Sequence, residues 1–530
     1  MYINNCEWVD LKNIHNVPLR ISADHCVIGG GTIGIYLGMM LALAGLSVLI
    51  VEAGDLRVKS SEELGIESIF ENTPYRGATE GRGFGIGGSS AMWGGVLVGH
   101  SQHDVRSHLP FEKIWRYVVE IVRQNQSAVF ETLGLKGEAL TSGINAKVHE
   151  QIRHFFADSQ LSLETSFHLP FRLKNLSVLL NLTSKEITPP KILFNAVSKK
   201  WSLSSRSVSE SNIKELSLVS ENGNTALINA KKFIIAAGAI ESTRILLEIN
   251  DGNPSGFPVS RNSELGKNLS DHLSFPAACV ENIDVPKIIK YFSPSFYGKL
   301  MGSARLVNSA PKAQSVRGFG HFIFNYDSKG INAVKNILKS IQSKTQPSIS
   351  VADLTSGLAD IGSLMYMRYI NSKMYIPKNA TAFLQVDVEQ ARSERNSITL
   401  SKGLDRFGRR IPLICWDVSE LDIENCKKFA HDLLSGWPKE ESGFPQMRPN
   451  FDFLNFSNPY DVYHPTGTIR MGDDNLSVVD MDLRVRGFGN LWVVSTAVLP
   501  SAGTANPTFT TLCLAHQLGQ KFIGEGKRGD

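Results

Sequence analysis

Asp24 to Gly54 reads DHCVIGGGTIGIYLGMMLALAGLSVLIVEAG, and this stretch decides the fold. Cys26-Val27-Ile28 is a short apolar strand, Gly29-x-Gly31-x-x-Gly34 is a glycine turn, and a helix-periodic apolar segment follows from Ile33 to Ala44. Gly45 ends the helix, and Val48 to Val51 forms a second strand that finishes at Glu52. Together they make a βαβ unit with the dinucleotide fingerprint in its required context. Gly29 permits the tight turn, Gly31 lets the main chain approach a pyrophosphate, and Gly34 lets the helix lie close to the strand. The helix start, with Thr32 and Ile33, presents unpaired N–H groups and the positive end of a dipole to phosphate. Glu52, followed by Ala53, is placed to accept hydrogen bonds from ribose hydroxyls. A carboxylate there disfavours the 2′-phosphate of NADP.

The 530-residue chain is long enough for two or three domains. Hydrophobic residues make up 42% and charged residues 20%, an ordinary globular balance, and a formal charge of +4 is too small to point to nucleic acid. The six cysteines are scattered without a CxxC pair, so they read as buried thiols rather than disulfides or metal ligands, and no metal site is expected. The opening MYINNCEWVDLKN lacks the basic start and apolar core of a signal peptide. No run of 18 apolar residues exists, so no membrane span is expected and a cytoplasmic location is the default.

After the βαβ unit comes Gly81-Arg-Gly-Phe-Gly-Ile-Gly-Gly-Ser-Ser-Ala-Met-Trp-Gly-Gly95. Seven glycines in fifteen residues suit neither a helix nor a strand interior, but they suit close main-chain approach to a flat or phosphorylated ligand. Gly87 and Gly88 leave amides for a diphosphate, Ser89 and Ser90 add hydroxyls, and Trp93 and Gly94 complete the loop. Phe111 to Leu133 reads as one or two amphipathic helices. Asn212 to Val219 and Ala230 to Ala236 read as strands joined by a turn at Glu221 to Asn224, with Asn195-Ala-Val197 favoured over Asn181 to Ile187 as the preceding strand. The hairpin runs into Ala236-Ala-Gly-Ala-Ile-Glu-Ser242, which places Ala237 and Gly238 behind the cofactor. Ile331 to Ser343 and Leu354 to Ile370 are helix-like. Lys335, Lys339 and Lys344 fit the solvated face of a packed helix better than a membrane-surface helix. Strand patterns at Ala382 to Val388, Ser397 to Leu400 and Ile411 to Trp416 suggest a second domain built on a sheet.

The last 70 residues hold a second constellation: Tyr463-His-Pro-Thr-Gly-Thr-Ile-Arg-Met-Gly472, an apolar strand at Leu491 to Val494, then Ser495 to Thr510 leading into a helix. Asn506 stands at an N-cap position, with Pro507 as first helical residue and Thr508 after it. His464 is the natural base, because imidazole titrates near neutral pH. Asn506 can hold a substrate oxygen or orient His464. The other histidines, His272 and His516 among them, read as structural.

In order along the chain, GGGTIG with Glu52, the GGSS loop, AAGAIES, GKNLSDH, HPTGTIRMG and GTANPTFTT resemble the glucose–methanol–choline (GMC) family of FAD-dependent oxidoreductases. The resemblance implies an α/β plus α+β architecture. A Rossmann-type FAD domain would be assembled from residues 1–100, 190–275 and 450–530. A substrate domain on a mostly antiparallel sheet would come from 101–189 and 276–449. It also implies oxidation of CH–OH to carbonyl, with hydride transfer to flavin N5, and a catalytic His-Asn pair at His464 and Asn506. The positive helix end after Asn506 would face the flavin N1 and C2 carbonyl. Trp93 followed by Gly-Gly looks like the branch acting on sugars and polyols. Members with covalent FAD carry a His where Ala91 and Met92 stand here, so noncovalent FAD is expected. The usual acidic residue near the ribityl chain corresponds to Ser495, with Thr496 as the compensating contact. Expected partners are a small alcohol or sugar and an electron acceptor: oxygen, a quinone or a redox protein. The alternatives are a non-redox lyase on the same scaffold and a flavin-bound protein without catalysis. A flavin monooxygenase is disfavoured, because no second GxGxxG lies between a strand and a helix.

Overall fold

The structure is a computed structural model, and it describes all residues except 1–5, 16–17, 136–137, 183–186, 206–209, 252–262, 309–315, 347–356, 452, 454–456 and 528–530. Two large sheets organise the chain. The first has eight strands, and its order is Glu7–Asp10, Lys191–Phe194, Val48–Val51, Leu19–Ile28, Thr225–Ile235, Ser211–Val219, Val197–Ser205. Leu491–Val493 also pairs with Thr225–Ile235. Pairing is parallel from Glu7–Asp10 as far as Thr225–Ile235 and onto Leu491–Val493, whereas the Ser211–Val219 and Val197–Ser205 strands are antiparallel. The central Val48–Val51 strand is buried throughout, as its unbroken VLIV run requires.

The expected helix forms as Thr32–Leu43 and is buried along most of its length, between the first sheet and the C-terminal helix Pro507–Gly526. An apolar sequence on all sides of a helix belongs in such a layer. The strand before it is longer than its apolar core, extending back to Leu19, because the polar residues ahead of Cys26 ladder with Ala226 to Lys232. The favoured strand around Val197 is present, and the helix after Ala237 starts at Gly238 rather than Thr243.

The second sheet has nine strands, and its ladders are antiparallel. Its long members are Leu161–His168, His272–Val280, Leu300–Asn308, Gly318–Asn325 and Thr381–Glu389. Short strands Val96–Leu97 and Tyr460–Asp461 join it, so segments on both sides of the expected domain boundaries share one sheet. Helix Glu112–Thr132 packs on Pro507–Gly526, with Phe130 and Phe509 centroids 4.7 Å apart. The helix expected at 354–370 is described as Leu358–Tyr369, and residues 354–356 lie outside the described residues. It has no buried residue.

Gly34 is the tightest point of the βαβ unit: a Cβ there would stand 1.8 Å from the Gly29 carbonyl oxygen. Main chain cannot swing aside as a side chain can. Gly34→Ala should therefore cost at least roughly 1–3 kcal/mol, read as a lower thermal unfolding temperature. An unchanged transition would show that the turn has slack.

Candidate active site

A cavity opens along the end of the parallel sheet, walled by the Gly29 turn, the start of helix Thr32–Leu43, Glu52 and the 81–89 loop. Gly29 is held at φ +113°, a left-handed conformation that favours glycine. Gly31 caps the helix without a side-chain hydrogen bond, so the cap residue leaves the N–H groups of the first turn unoccupied. That is the arrangement an anion needs.

Glu52 lines the cavity, but its carboxylate is largely engaged by main chain. Oε2 accepts from Gly30 N at 2.7 Å, and Oε1 accepts from Gly54 N and Gly85 N, both at 2.8 Å. Burial pushes this carboxyl up to about 7, opposed by the amides that favour the anion. The side chain thus ties the first glycine turn to the second glycine loop. The expected ribose contact falls to whatever acceptor capacity on the carboxylate remains.

The second glycine loop differs from its sequence reading. The Gly87 amide donates to Gly30 O at 2.9 Å and the Gly88 amide to Gly85 O at 2.8 Å, so neither is left open for a diphosphate. Ser90 is fully buried, donates to Gly87 O at 2.5 Å and accepts from Leu176 N, which makes it a brace of the loop. The Trp93 indole N–H donates to Lys174 O at 2.7 Å.

Further along the cavity, Glu241 sits among three arginines. Its Oε1 accepts from Arg244 and from Arg409, and its Oε2 accepts from Arg82 at 3.0 Å. The burial of Glu241 works against its charge, but the guanidiniums prevail and hold its carboxyl far below the ordinary range. Nothing local in the sequence signals this cluster, because residues 82, 241 and 409 meet only in the fold.

The C-terminal wall brings in Tyr463, Pro465, Ser495, Thr496 and Thr508. His464 is partly exposed and Asn506 lies beside it, with Nδ2 to Nε2 at 3.1 Å. Asn506 occupies the N-cap of helix Pro507–Gly526, yet its side chain makes no cap bond and faces His464. The loop before Asn506 is pinned by buried charges. Thr504 donates to Asp104 through both N–H and hydroxyl at 2.7 Å, Arg305 donates to Thr504 O, and Ser501 donates to Glu389.

His272, read from sequence as structural, contacts the His464 ring. His272 Nε2 lies 2.9 Å from Gly503 O, an atom that can only accept, so this nitrogen carries hydrogen. Burial holds the ring neutral at neutral pH. Its Nδ1 is then an acceptor, and it faces His464 Nδ1 at 2.9 Å. His464 must carry its hydrogen on Nδ1, which leaves a lone pair on Nε2 for the Asn506 amide. Burial first, then His272 and His100, pushes His464 well below the ordinary histidine range, so it too is neutral. Asp271 fixes both backbones, accepting from His272 N at 2.7 Å and His464 N at 2.9 Å, as well as from the Tyr75 hydroxyl. Asp271, His272 and His464 place potential ligand atoms within 4.8 Å of one another, but each is engaged in these hydrogen bonds.

Residues 392–515 match the family model described as GMC oxidoreductase. The chain is 41% identical over 318 residues to an alcohol dehydrogenase (acceptor) of Pseudomonas putida, 55% of this chain and 50% of that protein. It is 62% identical over 45 residues to pyridoxine 4-oxidase of Microbacterium luteolum, 8% of this chain and 9% of that protein. In these matches the chain spans half or less of each curated relative's length. The crystal structure of pyridoxine 4-oxidase from Mesorbium loti superposes with a TM-score of 0.57 at 17% identity, over 95% of this chain and 99% of that one, which is a likeness of fold.

Of the residues singled out for a GMC cofactor, Gly29, Gly31, Thr32, Ile33, Glu52 and Ala53 line the cavity. So do Gly88, Ser89, Ala237, Gly238, Thr496 and Thr508. Gly34, Gly87, Ser90, Trp93, Gly94, Val197 and Pro507 are not among its lining residues, and Val197 is buried between Ala196 and Ser198, which are. Thr496 spends its hydroxyl hydrogen on Pro465 O at 2.6 Å. Ser495 Oγ is buried in the wall and has no hydrogen-bond partner among the described residues.

Glu241→Gln removes the anion from among three guanidiniums. It should destabilise the protein by roughly 3–5 kcal/mol, the usual result of breaking a buried ion pair. Chemical denaturation would measure this, and a loss below 1 kcal/mol, on the order of a surface pair, would contradict the network.

Proposed function

We propose that this chain is an FAD-dependent GMC oxidoreductase that oxidises the CH–OH group of a small alcohol, sugar or polyol to a carbonyl. The observation that carries the reading is the Asn506 amide, turned away from its helix and onto a His464 whose free lone pair is on Nε2. The cavity suits the cofactor. It offers a helix start without a side-chain cap, glycine walls that admit a flat group, and the unsatisfied hydroxyl of Ser495. FAD, when bound, supplies the two-electron acceptor for the carbinol hydride. Ala91 and Met92, which offer no imidazole for attachment, support noncovalent binding.

The chain's own residues handle the proton. A substrate hydroxyl entering between His464 and Asn506 donates to Nε2 and accepts from the Asn506 amide. Nε2 takes the hydroxyl proton as the C–H bond breaks, and oxygen becomes the carbonyl oxygen. Asn506 steadies the negative charge that develops on that oxygen. His272, held by Gly503 O, keeps the other face of the His464 ring in register and accepts from its Nδ1–H, so it acts as a positioning residue. Helix Pro507–Gly526 has its positive end uncapped by the Asn506 side chain, and a flavin held beside it would have negative charge stabilised there. Six free cysteines support a reducing compartment, and we assign the reaction to the cytoplasm. No helix among the described residues is long and apolar enough to cross a membrane.

The test is anaerobic mixing of the flavin-loaded protein with sugars, polyols, aromatic alcohols and aliphatic alcohols. Bleaching of the flavin band by one class is expected, and the rate of recolouring in air separates oxygen from other acceptors. A protein that takes up no FAD would overturn the reading. His464→Ala should slow flavin reduction by roughly 10²–10⁴-fold with cofactor content unchanged. Because its surroundings depress the His464 pKa, the base stays unprotonated at pH 6.5 and is lost only further into acid. The acid limb of kcat/KM should therefore fall below the ordinary histidine value of about 6.5. A limb at or above that value would contradict the neutral relay.

A further inference from the structure

Helix Leu358–Tyr369 has the sequence LADIGSLMYMRY and no buried residue. Leu358, Met365, Tyr366 and Tyr369 are 57–72% exposed, and Ile370 just beyond is 68% exposed. The partner helix Lys329–Ser343 adds Ile341 at 62%. The two helices are joined at their starts, where Ser328 Oγ donates to Asp360 and Gly330 packs on Gly357. Large apolar side chains gathered on one exposed face mark an interaction site.

Charge identifies the partner. Between residues 285 and 378 the sequence has 13 Lys and Arg against 3 Asp and no Glu; Arg305 and Arg317 are buried and paired with Glu164 and Glu389, and eight of the lysines are exposed. Lys329, Lys335 and Lys339 are exposed on the first helix. Lys299 is exposed in the turn that Arg368 grips through Gly298 O. Apolar and tyrosine side chains rimmed by lysines fit the headgroup boundary of a bilayer. A second copy of the chain would set two strongly basic surfaces against each other. We propose that this helix pair docks the protein on an anionic lipid surface without crossing it.

The position of the patch gives docking a consequence. Gln342, in the last turn of the first helix, donates to Ser90 O and Trp93 O, both at 3.0 Å. The docked face is thus one side chain from the glycine loop that walls the cavity. The proposal does not depend on the activity proposed above.

The test is co-sedimentation of the purified full chain with vesicles of phosphatidylcholine alone or mixed with phosphatidylglycerol, alongside analytical ultracentrifugation without lipid. Binding to the anionic vesicles, weakened by salt, is expected. Lys335→Gln and Lys339→Gln should each weaken it roughly fivefold. Tyr369→Ser combined with Ile370→Ser should abolish it with the unfolding temperature unchanged. The proposal is overturned if the wild-type chain stays in the supernatant with anionic vesicles. It is also overturned if the serine variant binds as well as wild type, or if these substitutions abolish only a self-association seen without lipid.

Discussion

A buried carboxylate, Asp271, holds the two histidines of the site in place. It takes the main-chain N–H of His272, at the start of a strand in the antiparallel sheet, and of His464, 192 residues later. Burial and the nearby Asp461 push its carboxyl up to about 8, while the Tyr75 hydroxyl and the two amides favour the anion. Such a group is costly to bury unless its acceptors are filled, so its partners are fixed with it. The orientation of both rings, and through His464 that of Asn506, follows from this anchor.

Other buried carboxylates do similar work. Glu52 draws three amides from three loops onto one side chain, and Glu241 gathers Arg244 of its own helix with Arg82 and Arg409 from distant parts of the chain. Asp104 and Glu389 pin the loop that leads to Asn506. The cavity is therefore shaped by charge and main chain together. Its glycines supply room, and the acids fix where that room is.

The βαβ unit was legible because hydrophobic burial imposes period on sequence. A strand in the middle of a parallel sheet reads as an unbroken apolar run, and glycine marks the close approaches. Motif order carried the resemblance, and the GMC domain match over 392–515 agrees with it. Hydrogen-bond partners left no such trace. The Gly87 and Gly88 amides look open in sequence but are engaged by Gly30 and Gly85 oxygens, and Ser90 braces the loop instead of facing the cavity. The part of His272 was hidden for the same reason, since its contacts are to residues 464 and 503.

By itself, the sequence determined the glycine turn, its strands and helix, the site of the C-terminal helix start, and the two residues His464 and Asn506. Local spacing and burial period suffice for these. Only the tertiary structure decided that the Asn506 side chain leaves its helix uncapped, that His464 carries its hydrogen on Nδ1, and that Glu52 serves main chain from three loops. Each of these depends on which atom lies about 3 Å away, and that is set by long-range packing rather than by neighbours in the chain.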